Sequence, residues 1–158
     1  MTRSNGVEHR SLGTATPGDA RATVGEVTPR SALGGGGNHA GDGRQYRAAL
    51  AEARAAAAEI ADGKYRGPLH GIPVAVKDLC FTKGVRTMGG LAVLADHVPD
   101  FDATVVRRLR DAGAVLLGKL NLTEGAMAGY NPAFDVPENP WKESHWAGAL
   151  SSGSGAAT

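Results

Sequence analysis

Two stretches of the sequence carry side chains that could do chemistry together. The first is Lys77, which closes the apolar run Val74-Ala75-Val76 and is followed by Asp78. A lysine accepts a proton only where its ammonium sheds one near neutral pH, and partial burial at a strand end favours the neutral amine. The second is Ser151-Ser152-Gly153-Ser154-Gly155, where hydroxyls sit on backbone that can approach a carbonyl closely and turn N–H groups toward an oxyanion. Each stretch also has a plainer reading: a surface lysine marking a strand end, and a flexible linker. No His/Asp arrangement accompanies the serines. Gly153 and Gly155 do not complete a phosphate-binding glycine fingerprint, because neither a third glycine nor a Gly-Lys-Ser/Thr follows. His39, His70, His97 and His145 are scattered, without a second His or a Cys at ligand spacing. Neither a metal nor another cofactor is expected.

The elements that must position these residues begin after a long polar start. Residues 1–44 are rich in Gly, Ser, Thr, Pro and Ala, include the glycine run 34–37, and hold only isolated aliphatics such as Leu12, Val24 and Val27. Such a segment buries too little apolar surface to offset its ordering entropy, so a disordered leader is expected. A transit peptide is the rival reading, and Glu8, Asp19 and Glu26 oppose it. Tyr46, Leu50, Ala53, Ala57 and Ile60 then recur at helical spacing, which predicts a surface helix over 45–61 stopped by Gly63. The β-branched run 72–76 predicts a buried strand that delivers Lys77, with a turn at Lys83-Gly84. Asp102 is placed to cap a helix reaching Ala112, with Val105, Val106, Leu109 and Ala112 on one face and Gly113 as the stop. A second buried strand is expected over 114–117, left at Gly118 and Lys119, with a short helix near Leu122. Strand, helix and strand in this order predict an α/β architecture in three layers. Pro132, Pro137, Pro140 and Gly148 make 129–150 a long irregular excursion, of a kind that is often functional.

Composition narrows the partners. With 17 basic and 16 acidic residues in 158, the formal charge of +1 gives no field for nucleic acid or an anionic membrane. The single cysteine, Cys80, cannot form an intrachain disulfide, so a reducing cytoplasm is the default compartment. No apolar stretch in residues 1–30 suggests a signal peptide or a spanning helix.

The string Gly67-Pro68-Leu69-His70-Gly71-Ile72-Pro73-Val74-Ala75-Val76-Lys77-Asp78 strongly resembles the lysine-bearing segment of amidase-signature enzymes. Asp102-Ala103-Thr104-Val105-Val106, Ala112-Gly113-Ala114, Gly118-Lys119-Leu120-Asn121, Glu124 and Asn139-Pro140-Trp141 follow in the family's order. The resemblance runs from about Tyr46 to Thr158. It implies the amino-terminal portion of an amidase-signature domain over 45–158, with a mixed β-sheet core flanked by helices and here truncated. It implies hydrolysis of a carboxamide C–N bond through a Ser-cisSer-Lys relay, in which a neutral lysine deprotonates a bridging serine and that serine activates a nucleophilic one. By this match Lys77 is the base, and Ser151 or Ser152 is the bridging serine.

Two departures bear on that match. The family's nucleophile lies roughly two dozen residues past the bridging serine, by the resemblance and not by any measure of this chain, and hence past Thr158. A fragment ending there is expected to be inactive, and its unpaired strand edges to make it aggregate. The family's usual Gly-Gly-Ser-Ser-Gly-Gly-Ser stands here as Gly148-Ala149-Leu150-Ser151-Ser152-Gly153-Ser154-Gly155; counted without a gap from Asn139-Pro140-Trp141, Leu150 occupies the bridging position. The expected partner is a small-molecule amide, without nucleic acid or membrane, and a homodimer is open as the assembly. The amidase subunit of glutamine-dependent tRNA amidotransferase and a non-catalytic remnant or interaction protein are the alternatives.

Overall fold

The computed structural model describes residues 43–127, 129–142 and 144–157. The expected leader lies outside them, except for residues 43 and 44, which open the first helix.

Helix α1 spans Gly43–Ala61. Its alanine-rich sequence costs little side-chain entropy on becoming helical. Its buried stripe is Gln45, Ala49, Ala53 and Ala56, while Tyr46 is 42% exposed. Of the stripe expected through Tyr46, Leu50, Ala53, Ala57 and Ile60, Ala53 is buried and Leu50 packs beside it, but the stripe is turned toward Ala49 and Ala56, because the small alanine faces let the helix lie close against the sheet. Ala49 and Ala53 pack on Val115, with Leu50 and Leu117 around them. The helix ends as Gly63 predicts: at φ +75° it donates to the Ile60 carbonyl, and Lys64 donates to that of Glu59. This is the paired bonding of a left-handed glycine cap.

Strands β1 (Pro73–Lys77) and β2 (Val115–Leu120) pair in parallel. Between them runs α2, Thr104–Asp111. Val106 of α2 packs on Val76 and Leu116, with Val74, Ala103 and Leu109 at the edge, so α1 and α2 cover opposite faces of the pair. Full burial of residues such as Val106 and Val115 contributes about 1.5–3 kcal/mol each. The three-layer α/β arrangement read from the sequence is present.

Three local expectations are corrected. Strand β2 does not end at Leu117: Val74 pairs with Leu116 but Ala75 with Gly118, so Leu117 is an extra bulged residue, and pairing resumes through Val76↔Lys119 and Lys77↔Leu120. Gly118 and Lys119 thus lie inside the strand. Asp102 does not cap α2, whose N-cap is Ala103 without a side-chain hydrogen bond. Its carboxylate instead accepts from the Lys83 amide at 2.7 Å and pairs with Arg110 at 3.4 Å, tying the Lys83-Gly84 turn to the helix. The face expected for α2 is narrower too, because Val105 is 49% exposed.

Near Leu122 the expected short helix is a single 3-10 turn, Glu124–Ala126. The excursion over 129–150 is irregular, as the prolines predict. Asn139 organises it, accepting from the amides of Trp141 and Lys142 and donating to the Trp146 carbonyl. A short helix, α3, Ser152–Ala157, closes the described chain against β2. Among the described residues no helix is long and apolar enough to cross a membrane.

Candidate active site

The carboxyl ends of β1 and β2 gather the residues singled out above. Lys77 is the last residue of β1, half-buried, opposite Leu120 in the ladder. Among the described residues no hydrogen bond or ion pair engages its Nζ. Directly after it, the Asp78 amide donates to the Leu120 carbonyl at 2.9 Å, and the Asp78 carboxylate accepts from the Met88 amide at 3.0 Å. These bonds fold the 78–91 loop back over the strand ends. Gly90 stands there at φ +70°, where a Cβ would also meet the carbonyls of Leu122 and Thr123 at 3.1–3.2 Å.

The serine segment reaches the same strand ends from the far side of β2. The Gly153 amide donates to the Asn121 carbonyl at 3.0 Å. A Cβ on Gly153 would lie 2.4 Å from the Asn121 nitrogen and 2.7 Å from its carbonyl oxygen, so only glycine lets the turn settle here. Lys77, Leu120-Asn121 and Ser152-Gly153 therefore follow one another across one end of the sheet.

The predicted serines differ sharply. Ser151 is exposed, and so is Leu150, at 48%. Ser152 is fully buried, and among the described residues its Oγ has no hydrogen-bond partner, Lys77 included. A second buried hydroxyl, Thr123 Oγ1, is likewise unpartnered. Buried hydroxyls are usually satisfied, and leaving one unsatisfied costs about 1–3 kcal/mol. Among the described residues, two buried hydroxyls thus stand unpartnered beside the strand ends, where an open parallel sheet binds its ligands.

The sequence reading passes over one charged residue at this end. Lys119 is 4% exposed inside β2, and its Nζ donates to the Cys80 carbonyl, to Thr87 Oγ1 at 2.9 Å and to Thr82 Oγ1 at 3.3 Å, with Asp78 Oδ1 at 3.5 Å. Burial pulls its proton affinity below the ordinary lysine value, and Asp78 pulls it back up. The apolar residues on both sides of it, Leu116, Leu117, Leu120 and Leu122, are the signal that points to its burial. Among the described residues no cluster of His, Cys, Asp and Glu could hold a metal ion.

Comparison with known proteins fits this geometry. Over 110 residues the chain is 56% identical to a putative amidase, AmiD, of Mycobacterium tuberculosis strain H37Rv, covering 70% of this chain and 23% of that protein. It is 50% identical over 116 residues to one subunit of the glutamyl-tRNA(Gln) amidotransferase of Moorella thermoacetica, covering 72% and 24%. The chain thus spans about a quarter of the length of these curated relatives. Among solved structures, native peptide amidase from Stenotrophomonas maltophilia superposes with a TM-score of 0.64 at 37% identity, over 87% of this chain and 28% of that one. A crystal structure of another amidase superposes with a TM-score of 0.67 at 34% identity, over 90% and 32%. The amidase family model matches residues 44–158, the whole span that carries the two strands, the buried lysine and the serine turn, and the chain belongs to the amidase family.

Proposed function

We propose that this segment supplies the proton-accepting half of an amide hydrolase that cleaves the C–N bond of a small carboxamide by a Ser-cisSer-Lys mechanism. The observation that carries the reading is the contrast between two lysines at one sheet end. Lys119 has its N–H groups committed to fixed acceptors, whereas the amine of Lys77 is uncommitted among the described residues. Lys77 is the base. Ser152 is the better bridging serine than Ser151, because its hydroxyl is buried, unpartnered and seated by Gly153 against β2.

In the complete enzyme the Lys77 amine takes the proton of the bridging serine. That serine takes the proton of a nucleophilic serine contributed from outside this segment. The nucleophile adds to the amide carbon, and the C–N bond breaks as the relayed proton reaches the leaving nitrogen. Water then releases the carboxylic acid from the acyl-serine, with the same relay run once more. The lone Cys80 fits a reducing cytoplasm as the site of action.

The experiment is Lys77→Ala in the complete protein, assayed by ammonia release from a panel of primary carboxamides. Loss of turnover with an unchanged circular dichroism spectrum supports the base role, and retained turnover overturns it. Similarity to the tRNA amidotransferase favours a second reading, in which the ammonia released from glutamine passes to a partner protein. Glutamine turnover that rises only when such partner proteins are added selects it.

A further inference from the structure

We infer that Asn121 is a positioning residue for Ser152: its side chain ties the 129–150 excursion to the end of β2, and the serine turn sits in the seat that these two segments make. The inference rests on the proposed role of Ser152 as the bridging serine and concerns what holds its main chain in place.

The seat has two walls, and a glycine of α3 fits against each. Gly153 meets the first, which is the backbone of Asn121. Gly155 meets the second: a Cβ there would collide with the Ala147 carbonyl oxygen, a backbone atom that cannot swing aside as a side chain would. Between the two, Gly148 passes Ser152, and a Cβ on Gly148 would stand 4.0 Å from the Ser152 Cα. The Ser152 amide donates to the Ala149 carbonyl at 3.3 Å. The serine is therefore held by the last residues of the excursion on one side and, through Gly153, by the strand end on the other.

Asn121 joins the walls. It is 6% exposed, and both ends of its amide are engaged: Nδ2 donates to the Asp135 carbonyl at 2.8 Å, and Oδ1 accepts from the Leu122 amide at 2.6 Å. The first bond reaches 14 residues along the chain into the excursion. The second fixes the chain where it leaves β2, with the Asn121 carbonyl turned to the Gly153 amide. From Asp135 the path to the second wall is short. Glu138 forms an antiparallel bridge with Trp146, and Asn139 Nδ2 donates to the Trp146 carbonyl at 3.1 Å, directly before Ala147. Tyr130 adds a hydroxyl bond to the Gly148 carbonyl at 3.4 Å.

A buried amide with both ends satisfied is a fixed joint. Its loss lets the second wall move relative to the first, and Ser152 moves with it. Positioned chemistry tolerates little of that, since a displacement of about 1 Å costs on the order of a hundredfold in rate.

The test is a double-mutant cycle on amide turnover in the complete protein, with the folded fraction of each variant read by circular dichroism. Asn121→Ala is expected to lower kcat roughly ten- to hundredfold with KM unchanged, the pattern of an arrangement that matters only in the transition state. In a Ser152→Ala background the hydroxyl to be placed is gone, and the same substitution is expected to cost little more. A merely structural Asn121 predicts otherwise. Either kcat per folded molecule is kept, or it falls by the same factor in both backgrounds, and each of these results overturns the inference. If Asn121→Ala fails to fold, Gly155→Ala opens the seat from its other wall at an exposed position, and the same cycle decides. A loss of kcat only while Ser152 is present supports the inference; full kcat, or an equal loss in both backgrounds, overturns it. Full turnover in Ser152→Ala alone overturns the bridging role and the inference with it, so the two failures are told apart.

Discussion

The two ends of the short parallel sheet are built on opposite principles. At the amino end the polar groups around His70 are mutually satisfied. Arg66 grips Glu59 through Nε at 2.8 Å and Nη2 at 2.6 Å, and its amide donates to His70 Nδ1 at 3.1 Å. The His70 ring proton accordingly lies on Nε2, 3.2 Å from Glu59. Gly113, at φ +81°, leaves the space this ring fills, and its carbonyl receives the Gly71 amide at 2.9 Å. At the carboxyl end, among the described residues, the buried hydroxyls of Ser152 and Thr123 have no partner and the amine of Lys77 is uncommitted. One end commits its hydrogen bonds to holding the chain; the other commits those of Lys119 to the loop but, among the described residues, leaves the Ser152 and Thr123 hydroxyls available at some loss of stability. Substitutions at the first should therefore lower stability, and at the second activity.

The largest expected effect is at the carboxyl end. Lys77→Ala should lower amide turnover in the complete protein by at least about a thousandfold, the scale for loss of an acid–base partner in a relay. Its thermal midpoint should stay put, since no bond of the amine is lost. Ser152→Ala comes next. It should reduce kcat by roughly a hundredfold, while unfolding free energy changes by less than about 1 kcal/mol or rises, because the deleted hydroxyl had no partner to lose. A clear loss of stability with full kcat would reverse the contrast drawn above.

At the amino end the sign of the trade changes. Gly113→Ala places a Cβ 2.4 Å from His70 Cδ2 on backbone of positive φ. Denaturant melts should show a loss of about 2–3 kcal/mol, from strain and displacement of the ring, with kcat per folded molecule preserved. The smallest effect belongs to Glu59, whose hydrogen bond to Arg66 holds its carboxyl below the ordinary value. A depressed carboxyl stabilises the fold above its unfolded value near 4.5 and loses that contribution as pH falls through the lower folded value. Glu59→Gln should flatten this acid-side slope in melts taken below about pH 4.5. The pair is exposed, so the change should be modest and should shrink further in salt.

Much of the frame is legible in the sequence because it follows from local rules. The Gly63 stop, the β-branched run into Lys77 and the turn at Lys83-Gly84 are short-range signals, and the structure contains them. The misplaced elements share a different cause, which is competition from partners distant in sequence. Asp102 has the chemistry of a helix cap, yet the Lys83 amide 19 residues away claims it. The stripe of α1 is set by which alanines meet Val115, not by where its larger apolar residues recur. Lys119 reads as a strand exit because lysine is rarely buried, and its acceptors come from a loop more than thirty residues earlier in the chain. The serine turn is visible as composition, but the difference between Ser151 and Ser152 depends on how closely Gly153 meets Asn121.

The bulged Leu117 also bears on how relatives of this chain are compared. A strand with one surplus residue carries two phases of in-and-out alternation, one before the bulge and one after it. An alignment that slips by a single position across Leu117 would exchange Lys119 with Leu120, setting an internal cation where an apolar neighbour of Lys77 belongs. A deletion of Leu117 would leave Leu116 opposite Val74 and Lys119 opposite Val76 in a regular ladder, so the molecule can lose a residue there while its buried cation keeps its face.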